Sequence, residues 1–152
     1  MKDRISRLQM FAEILEVVAK RSTCIKPNAA ILVKDGRIIS MGYNGSPKGA
    51  PHCIEVGCLE EDGACIRTIH AEANAIAFAA KYGISTEGAT LYVTSSPCYD
   101  CAKLIVNSGI TEVVYLKEYR RPEGIELLNK SKILTHKLLF GDSDELHKMR
   151  SA

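Results

Sequence analysis

The sequence has no hydrophobic run long enough to cross a bilayer, which takes roughly 20 apolar residues in a helix. Its uninterrupted apolar stretches are short, such as Ala29 to Val33. The segment from Met1 to Arg7 also lacks the apolar core of a secretory signal peptide. We therefore expect no membrane contact and a cytoplasmic location, where thiols stay reduced.

A strong excess of charge of either sign is also absent. The formal net charge is +2 over 152 residues, which gives no support for nucleic-acid binding and is compatible with a small anionic substrate. Apolar residues make up 46% and charged residues 25%, the composition of an ordinary globular domain. We expect one domain at residues 1–140 and a polar tail at 141–152.

The apolar pattern predicts alternating helices and strands. Residues 3–20 carry apolar side chains at intervals of three and four, as amphipathic helices do. Asp35-Gly36 between two apolar runs predicts a hairpin turn. Residues 44–68 have no packing period and predict a long irregular loop, which is often functional. The predicted helices are 3–20, 70–82, 98–107 and 122–129, and the predicted strands are 29–33, 37–43, 89–94, 112–116 and 133–140. This order predicts an α/β fold, a three-layer α-β-α sandwich with a mixed five-stranded sheet.

Metal-ligating residues occur at the starts of two predicted helices. His70 and Glu72 begin one helix, and Cys98 and Cys101 begin the next. Two thiolates three positions apart can face one metal, and one imidazole completes three protein ligands. Three ligands leave a fourth tetrahedral position open, as in catalytic zinc sites, where a bound water is acidified to a pKa of about 7. Glu72 is then expected to carry protons rather than bind the metal.

Each motif has a plainer interpretation when taken alone. A Cys-x-x-Cys pair can be a redox pair, half of a structural zinc site or a chance occurrence. A histidine at a helix start can be a cap. In this order and on these elements, however, the residues match the general signature of the zinc deaminases.

Three segments resemble the deoxycytidylate (dCMP) deaminase family, and the resemblance extends from about residue 5 to about residue 135. They are Gly42–Gly49 (GYNGSPKG), His70–Ile76 (HAEANAI) and Thr94–Lys103 (TSSPCYDCAK). The zinc motifs identify only the superfamily. The first segment and the Cys-Ala-Lys ending narrow the assignment to the deoxycytidylate deaminase family. Compact phage and bacterial members are the most similar.

The resemblance implies a cytidine-deaminase-like fold and the hydrolysis of dCMP to dUMP and ammonia, which supplies dUMP for thymidylate synthesis. It also implies activation by dCTP and inhibition by dTTP, with Mg²⁺ accompanying these nucleotides, and a homo-oligomer, expected to be a hexamer. A phage origin would place the protein in the host cytoplasm.

The resemblance also assigns roles to residues. It implies catalytic zinc ligands at His70, Cys98 and Cys101, with Glu72 as the proton carrier. The implied substrate-binding residues are Lys26, Asn44, Ala71, Ser96, Tyr119 and Arg120, and the implied effector-binding residues are Asn44, Gly45 and Lys48. Two plainer alternatives stay open, namely that Asn44 is a turn residue with positive φ and that Arg120 and Arg121 are a solvated pair.

The remaining cysteines predict a second metal site. Cys53, Cys58 and Cys65 lie in the loop, and Cys24 precedes the first strand. A loop with so little apolar content needs another source of order, and a four-ligand structural zinc would supply it. His52 is the alternative ligand. The competing interpretation is that these cysteines are small buried hydrophobic residues.

Other functions fit the sequence less well. A tRNA adenosine deaminase should have a more basic surface and a different sequence around Cys101. In a riboflavin-pathway deaminase, the two metal-ligating cysteines would lie farther apart in the sequence. A catalytically inactive zinc-stabilised domain would have no need for Glu72.

Overall fold

The computed structural model describes residues 3–139, and the predicted tail at 141–152 lies outside the described residues. The helices are α1 (Arg7–Ala19), α2 (Cys53–Val56), α3 (Ala71–Lys81), α4 (Tyr99–Asn107) and α5 (Glu123–Lys130). The strands are β1 (Ala29–Lys34), β2 (Arg37–Tyr43), β3 (Glu60–Glu61), β4 (Ala64–Cys65), β5 (Thr90–Ser95), β6 (Glu112–Lys117) and β7 (Leu134–Lys137).

The predicted mixed five-stranded sheet is confirmed. Its strand order is β2-β1-β5-β6-β7. Strand β1 pairs antiparallel with both β2 and β5, whereas β5, β6 and β7 run parallel. The hairpin between β1 and β2 turns at Asp35 and Gly36, whose φ values of 52° and 72° match the tight turn that Asp-Gly favours.

Helices cover both faces of this sheet, so the three-layer sandwich is also confirmed. On one face, Phe11 and Leu15 of α1 pack into a core with Ile31 and Tyr92. On the other face, α3, α4 and α5 enclose a second core, which includes Leu32, Leu91, Val93, Ile105 and Leu128. Neighbouring residues of β1 enter opposite cores because successive strand side chains alternate between the faces.

The region predicted as an irregular loop contains short elements, which corrects the prediction. Helix α2 and the small antiparallel hairpin β3–β4 lie within residues 44–68. Elements of two to four residues are too short to show a hydrophobic period. The last strand is also shorter than predicted, since β7 ends at Lys137. None of the helices described between residues 3 and 139 is long and apolar enough to cross a membrane.

Candidate active site

The predicted metal ligands lie where α3 and α4 begin. His70 is the N-cap of α3, with φ −63° and ψ 152°, and Cys98 is the N-cap of α4, with φ −70° and ψ 171°. Cys101 lies in the first turn of α4. Strand β5 ends at Ser95, so a short connection carries the chain from the sheet to Cys98. The two helices therefore bring their N-terminal ends together beside the sheet.

Three side chains form a ligand group at this point. The Nδ1 atom of His70 lies 3.4 Å from the Sγ atom of Cys98 and 3.4 Å from that of Cys101. All three candidate ligand atoms lie within 4.8 Å of one another. Two thiolates and one imidazole are ligands that zinc prefers, and three ligands are the number that catalytic zinc sites provide. The donor set therefore fits a catalytic zinc ion.

The thiols of this group differ in their affinity for protons. Hydrogen bonding from Cys101, followed by that from His70, lowers the pKa of Cys98 to about 4. The pKa of Cys101 is raised instead, because Cys98 takes the negative charge and because burial disfavours a second one. Cys98 is thus a thiolate at neutral pH, which is the form that binds a metal.

Glu72 lies one helical position beyond Ala71 and outside the ligand group. The residue is only 6% exposed, and it lines the same cavity as His70 and Cys98. Burial raises the pKa of its carboxyl group, partly offset by a backbone hydrogen bond. A carboxyl group with a raised pKa beside a metal site is suited to taking up and returning a proton.

Two glycines allow close packing around the ligands. A Cβ atom on Gly42 of β2 would lie 2.7 Å from the Ala71 carbonyl oxygen, at the start of α3. A Cβ atom on Gly124 of α5 would overlap the Pro97 carbonyl oxygen and lie 2.9 Å from the Cys98 carbonyl carbon. Each glycine thus lets a neighbouring element rest directly on a backbone segment that carries a ligand.

One cavity brings the predicted substrate-binding residues together with Glu72. Its lining includes Lys26, Asn44, Ala71, Ser96, Tyr119 and Arg120. Arg121 does not line this cavity, although both arginines line a neighbouring one. The structure therefore places Arg120, but not Arg121, in the cavity that Glu72 lines.

Several polar residues of this cavity were missed by the sequence analysis. They are Asn28, Glu60, Thr68, Ser95 and Glu118. The first precedes β1 and the last follows β6, so both lie just outside strand ends. Polar residues that flank buried strands are therefore the pattern that would have indicated these two.

Asn44 is buried and holds two segments together. Its Oδ1 accepts from the Asn28 backbone N–H at 2.8 Å, and its Nδ2 donates to the Lys26 carbonyl at 2.9 Å. The alternative that Asn44 is a positive-φ turn residue is wrong, since the non-glycine residues with positive φ among 3–139 are Asp35, Asp62 and Lys132. Asn44 instead shapes the cavity wall that contains Lys26.

The predicted effector residues lie in different environments. The Gly45 backbone exchanges two hydrogen bonds with that of Ile69, at 3.2 Å and 2.8 Å. Lys48 is exposed and does not line the cavity that holds Glu72. Of the three predicted effector residues, Asn44 lines the cavity that holds Glu72, and Gly45 and Lys48 do not.

Four further cysteines form a second group, which we call the cysteine cluster. The Sγ atoms of Cys24, Cys53, Cys58 and Cys65 lie within 4.8 Å of one another. All four are free thiols. His52, the alternative ligand, is exposed and lies outside this group.

The thiols of the cysteine cluster also have shifted pKa values. The pKa of Cys53 is raised to about 12, and burial is the largest cause. At Cys65, burial acts in the same direction, but hydrogen bonds from the Arg67 backbone and from Cys53 outweigh it and lower the pKa to about 6. At least one thiolate is therefore present at neutral pH, and a cation would stabilise further ones.

Comparison with known proteins gives consistent results. A family model described as the cytidine and deoxycytidylate deaminase zinc-binding region matches residues 5–117. ComE operon protein 2 of Bacillus subtilis is 44% identical over 131 residues, which cover 85% of this chain and 69% of that protein. The deoxycytidylate deaminase of Enterobacteria phage T4 is 35% identical over 182 aligned positions, covering 88% of this chain and 94% of that enzyme.

A solved structure supports the same relationship. The dCMP deaminase of cyanophage S-TIM5, crystallised in complex with dCMP and dUMP, matches with a TM-score of 0.79 and 33% identity. The match covers 90% of this chain and 100% of that chain. The cytidine-deaminase-like fold implied by the sequence motifs is thereby confirmed.

Proposed function

This chain belongs to the cytidine and deoxycytidylate deaminase family, and we propose that it hydrolyses dCMP to dUMP and ammonia. The observation that carries this proposal is the cavity that joins a three-ligand metal group and a buried carboxyl group to two cations. Deamination requires the first two features, and recognition of a 5′-phosphate requires the cations.

The chemistry centres on Glu72. A zinc ion held by His70, Cys98 and Cys101 would activate a water molecule at neutral pH. Glu72 takes one proton from that water and gives it to ring nitrogen N3, which makes carbon C4 easier to attack. Glu72 then takes the remaining proton of the added hydroxyl and gives it to the amino group, which leaves as ammonia. The product keeps its N3 proton and gains a C4 carbonyl, so the water is fully accounted for.

Backbone groups hold the base and side chains hold the phosphate in this proposal. Ala71 and Ser96 are buried and line the cavity next to Glu72. The Ser96 hydroxyl accepts a hydrogen bond from the Tyr119 backbone at 2.6 Å, which ties this wall to the segment bearing Arg120. Lys26 and Arg120 supply positive charge for the 5′-phosphate, since charge-assisted hydrogen bonds are the strong ones.

The cysteine cluster is proposed to hold a second, structural zinc ion. Four thiols within 4.8 Å of one another supply the closed tetrahedral set that structural zinc sites use. Such an ion would order residues 53–65, where the helix and strands have only two to four residues.

The proposal also includes regulation of the enzyme by nucleotides. On the family resemblance, dCTP activates and dTTP inhibits a hexameric enzyme, both as Mg²⁺ complexes, and the product dUMP feeds thymidylate synthesis. Assays of dCMP turnover with either triphosphate at millimolar concentration and Mg²⁺ test this. Unchanged activity with both nucleotides would reject the regulation and leave the deamination in place.

A substrate panel tests the main proposal. Loss of cytosine absorbance should be much faster with dCMP than with deoxycytidine, and an adenosine-containing tRNA should not react. The proposal would be contradicted if the zinc-loaded protein deaminated only the tRNA. It would also be contradicted if that protein deaminated none of the substrates in the panel.

A further inference from the structure

The cysteine cluster lies directly behind one wall of the cavity that holds Glu72. Two of its members, Cys24 and Cys65, also line that cavity. We propose that a metal ion in the cysteine cluster sets the preference for a phosphorylated substrate, because it holds the hairpin whose turn orients Lys26 and Arg120. This inference rests on the proposed function, since it concerns recognition of the 5′-phosphate at the same site.

Two cluster ligands are joined by very short segments to this wall. Cys24 lies two residues before Lys26, and Cys65 is the last residue of β4. A metal bound to both sulfurs would therefore tie the segment of Lys26 to the hairpin β3–β4. This tie matters because each strand of the hairpin has only two residues, and short two-stranded hairpins are barely stable alone.

The turn of the hairpin contacts both cations. The Asp62 carbonyl accepts from Arg120 Nη2 at 2.5 Å, and the Gly63 carbonyl accepts from Lys26 Nζ at 2.9 Å. Both turn residues have positive φ, 50° and 74°. The two carbonyls are adjacent in the chain, so one movement of the turn would displace both cations.

These contacts orient the cations without consuming their capacity to bind an anion. One bond to a carbonyl leaves two N–H donors on Lys26 and four on Arg120. Within residues 3–139, no carboxylate forms a salt bridge with either cation. Glu60 and Glu118 line the same cavity and would repel a phosphate, so its binding depends on how the two cations are placed.

The candidate catalytic metal ligands and Glu72 belong to other elements than the hairpin. His70 and Glu72 belong to the start of α3, and Cys98 to the start of α4. Loss of the cluster metal should therefore weaken binding of the phosphate while leaving the chemistry on the base in place.

A glycine pair tests the contact between the turn and Arg120. A Cβ atom on Gly63 would lie 2.8 Å from Arg120 Nη1, whereas one on Gly57 would meet nothing within 4 Å. Both glycines have positive φ, 74° and 79°, so Gly57→Ala controls for an alanine at positive φ in the same loop. Gly63→Ala should weaken dUMP binding about 10-fold, the loss of one charge-assisted contact, with deoxyuridine binding unchanged. Gly57→Ala should bind both as the unmodified protein does.

A second pair of variants tests whether a metal ion in the cysteine cluster affects phosphate binding. Cys58 lines neither cavity, and Ile54 is a 78% exposed residue of the same loop. Cys58→Ser should lower the zinc content from two to one per chain and weaken dUMP binding about 10-fold, whereas Ile54→Ser should change neither. The ratio of kcat/KM for dCMP to that for deoxycytidine should fall in parallel.

The inference would be overturned by a single zinc in the unmodified protein, by two zinc ions in Cys58→Ser, or by equal changes for dUMP and deoxyuridine. Unchanged dUMP binding in Gly63→Ala would also overturn it. Failure of the proposed function is distinct, because the unmodified protein would then not convert dCMP.

Discussion

At the residue scale, the position on α3 separates a proposed metal ligand, His70, from the proposed proton carrier, Glu72. His70 and Cys98 are N-caps with extended backbone, so they precede the regular turns of their helices. Glu72 lies within the first turn of α3 and is buried in the cavity, outside the ligand group. This separation gives the two roles to different residues, and it can be tested one residue at a time.

Glu72→Gln should abolish turnover while leaving the fold and the zinc content unchanged. Glutamine has nearly the same shape but cannot accept and return a proton, and general acid–base catalysis contributes about 10²–10⁴-fold. Measurement of kcat together with metal analysis tests this, with Glu16→Gln on the exposed face of α1 as the control. Retention of more than a few per cent of kcat would remove Glu72 from the proton-transfer role.

Arg120→Ala should impair dCMP much more than deoxycytidine. A charge-assisted hydrogen bond contributes about 1.5–3 kcal/mol, or roughly 10- to 150-fold in kcat/KM. Arg121→Ala is the matched control, since it removes the same charge from a residue that does not line the cavity of Glu72. Similar losses for both substrates, or in both variants, would show that Arg120 does not contact the phosphate.

At the scale of elements, the site depends on how closely α3 and α5 approach their neighbours. The helix starts carry the ligands, and glycines set the distances at which β2 and α5 pack against them. A side chain at either glycine would have to displace backbone, which cannot move aside as a flexible side chain can.

Gly124→Ala should therefore destabilise the protein, although alanine usually stabilises a helix by roughly 1 kcal/mol relative to glycine. The added methyl group would overlap the Pro97 carbonyl oxygen, and overpacking of this kind costs about 1–3 kcal/mol. Denaturant unfolding measures the change, with Glu126→Ala on the exposed face of α5 as the control. A gain in stability for Gly124→Ala would mean that α5 does not pack against Pro97 in this way.

The sequence predicted the long elements well because their patterns are local. Asp35-Gly36 located the hairpin, and the spacing of His70, Cys98 and Cys101 located the ligand group. It did not predict α2 or the hairpin β3–β4, whose two to four residues are too short to show a hydrophobic period. The turn of that hairpin is held by Lys26 and Arg120, which are 37 and 58 positions away in the chain. The hydrogen bonds of Asn44 are of the same kind, because they join residues 16 and 18 positions apart.

At the scale of the whole molecule, two differently stabilised parts meet at one cavity. The sheet and its helices bury large apolar side chains on both faces. The loop before α3 exposes its apolar side chains instead, including Ile54 at 78% and Ile66 at 53%. Hydrophobic burial thus accounts for the order of the first part but not of the second.

Metal binding should therefore control the order of the loop, and limited proteolysis can measure it. Within residues 48–69, trypsin can cut only after Lys48 and Arg67, and the Arg67 side chain donates to the Gly57 carbonyl at 3.0 Å. Cys58→Ser should speed cleavage at these two sites about 10-fold, which corresponds to about 1.4 kcal/mol in the free energy of local opening. Cleavage in the sheet and its helices should stay slow, because His70, Cys98 and Cys101 are intact.

Ile54→Ser controls for a polar substitution in the same loop, and mass spectrometry identifies the cut sites. Equal cleavage rates in Cys58→Ser and the unmodified protein would mean that packing rather than a metal orders the loop.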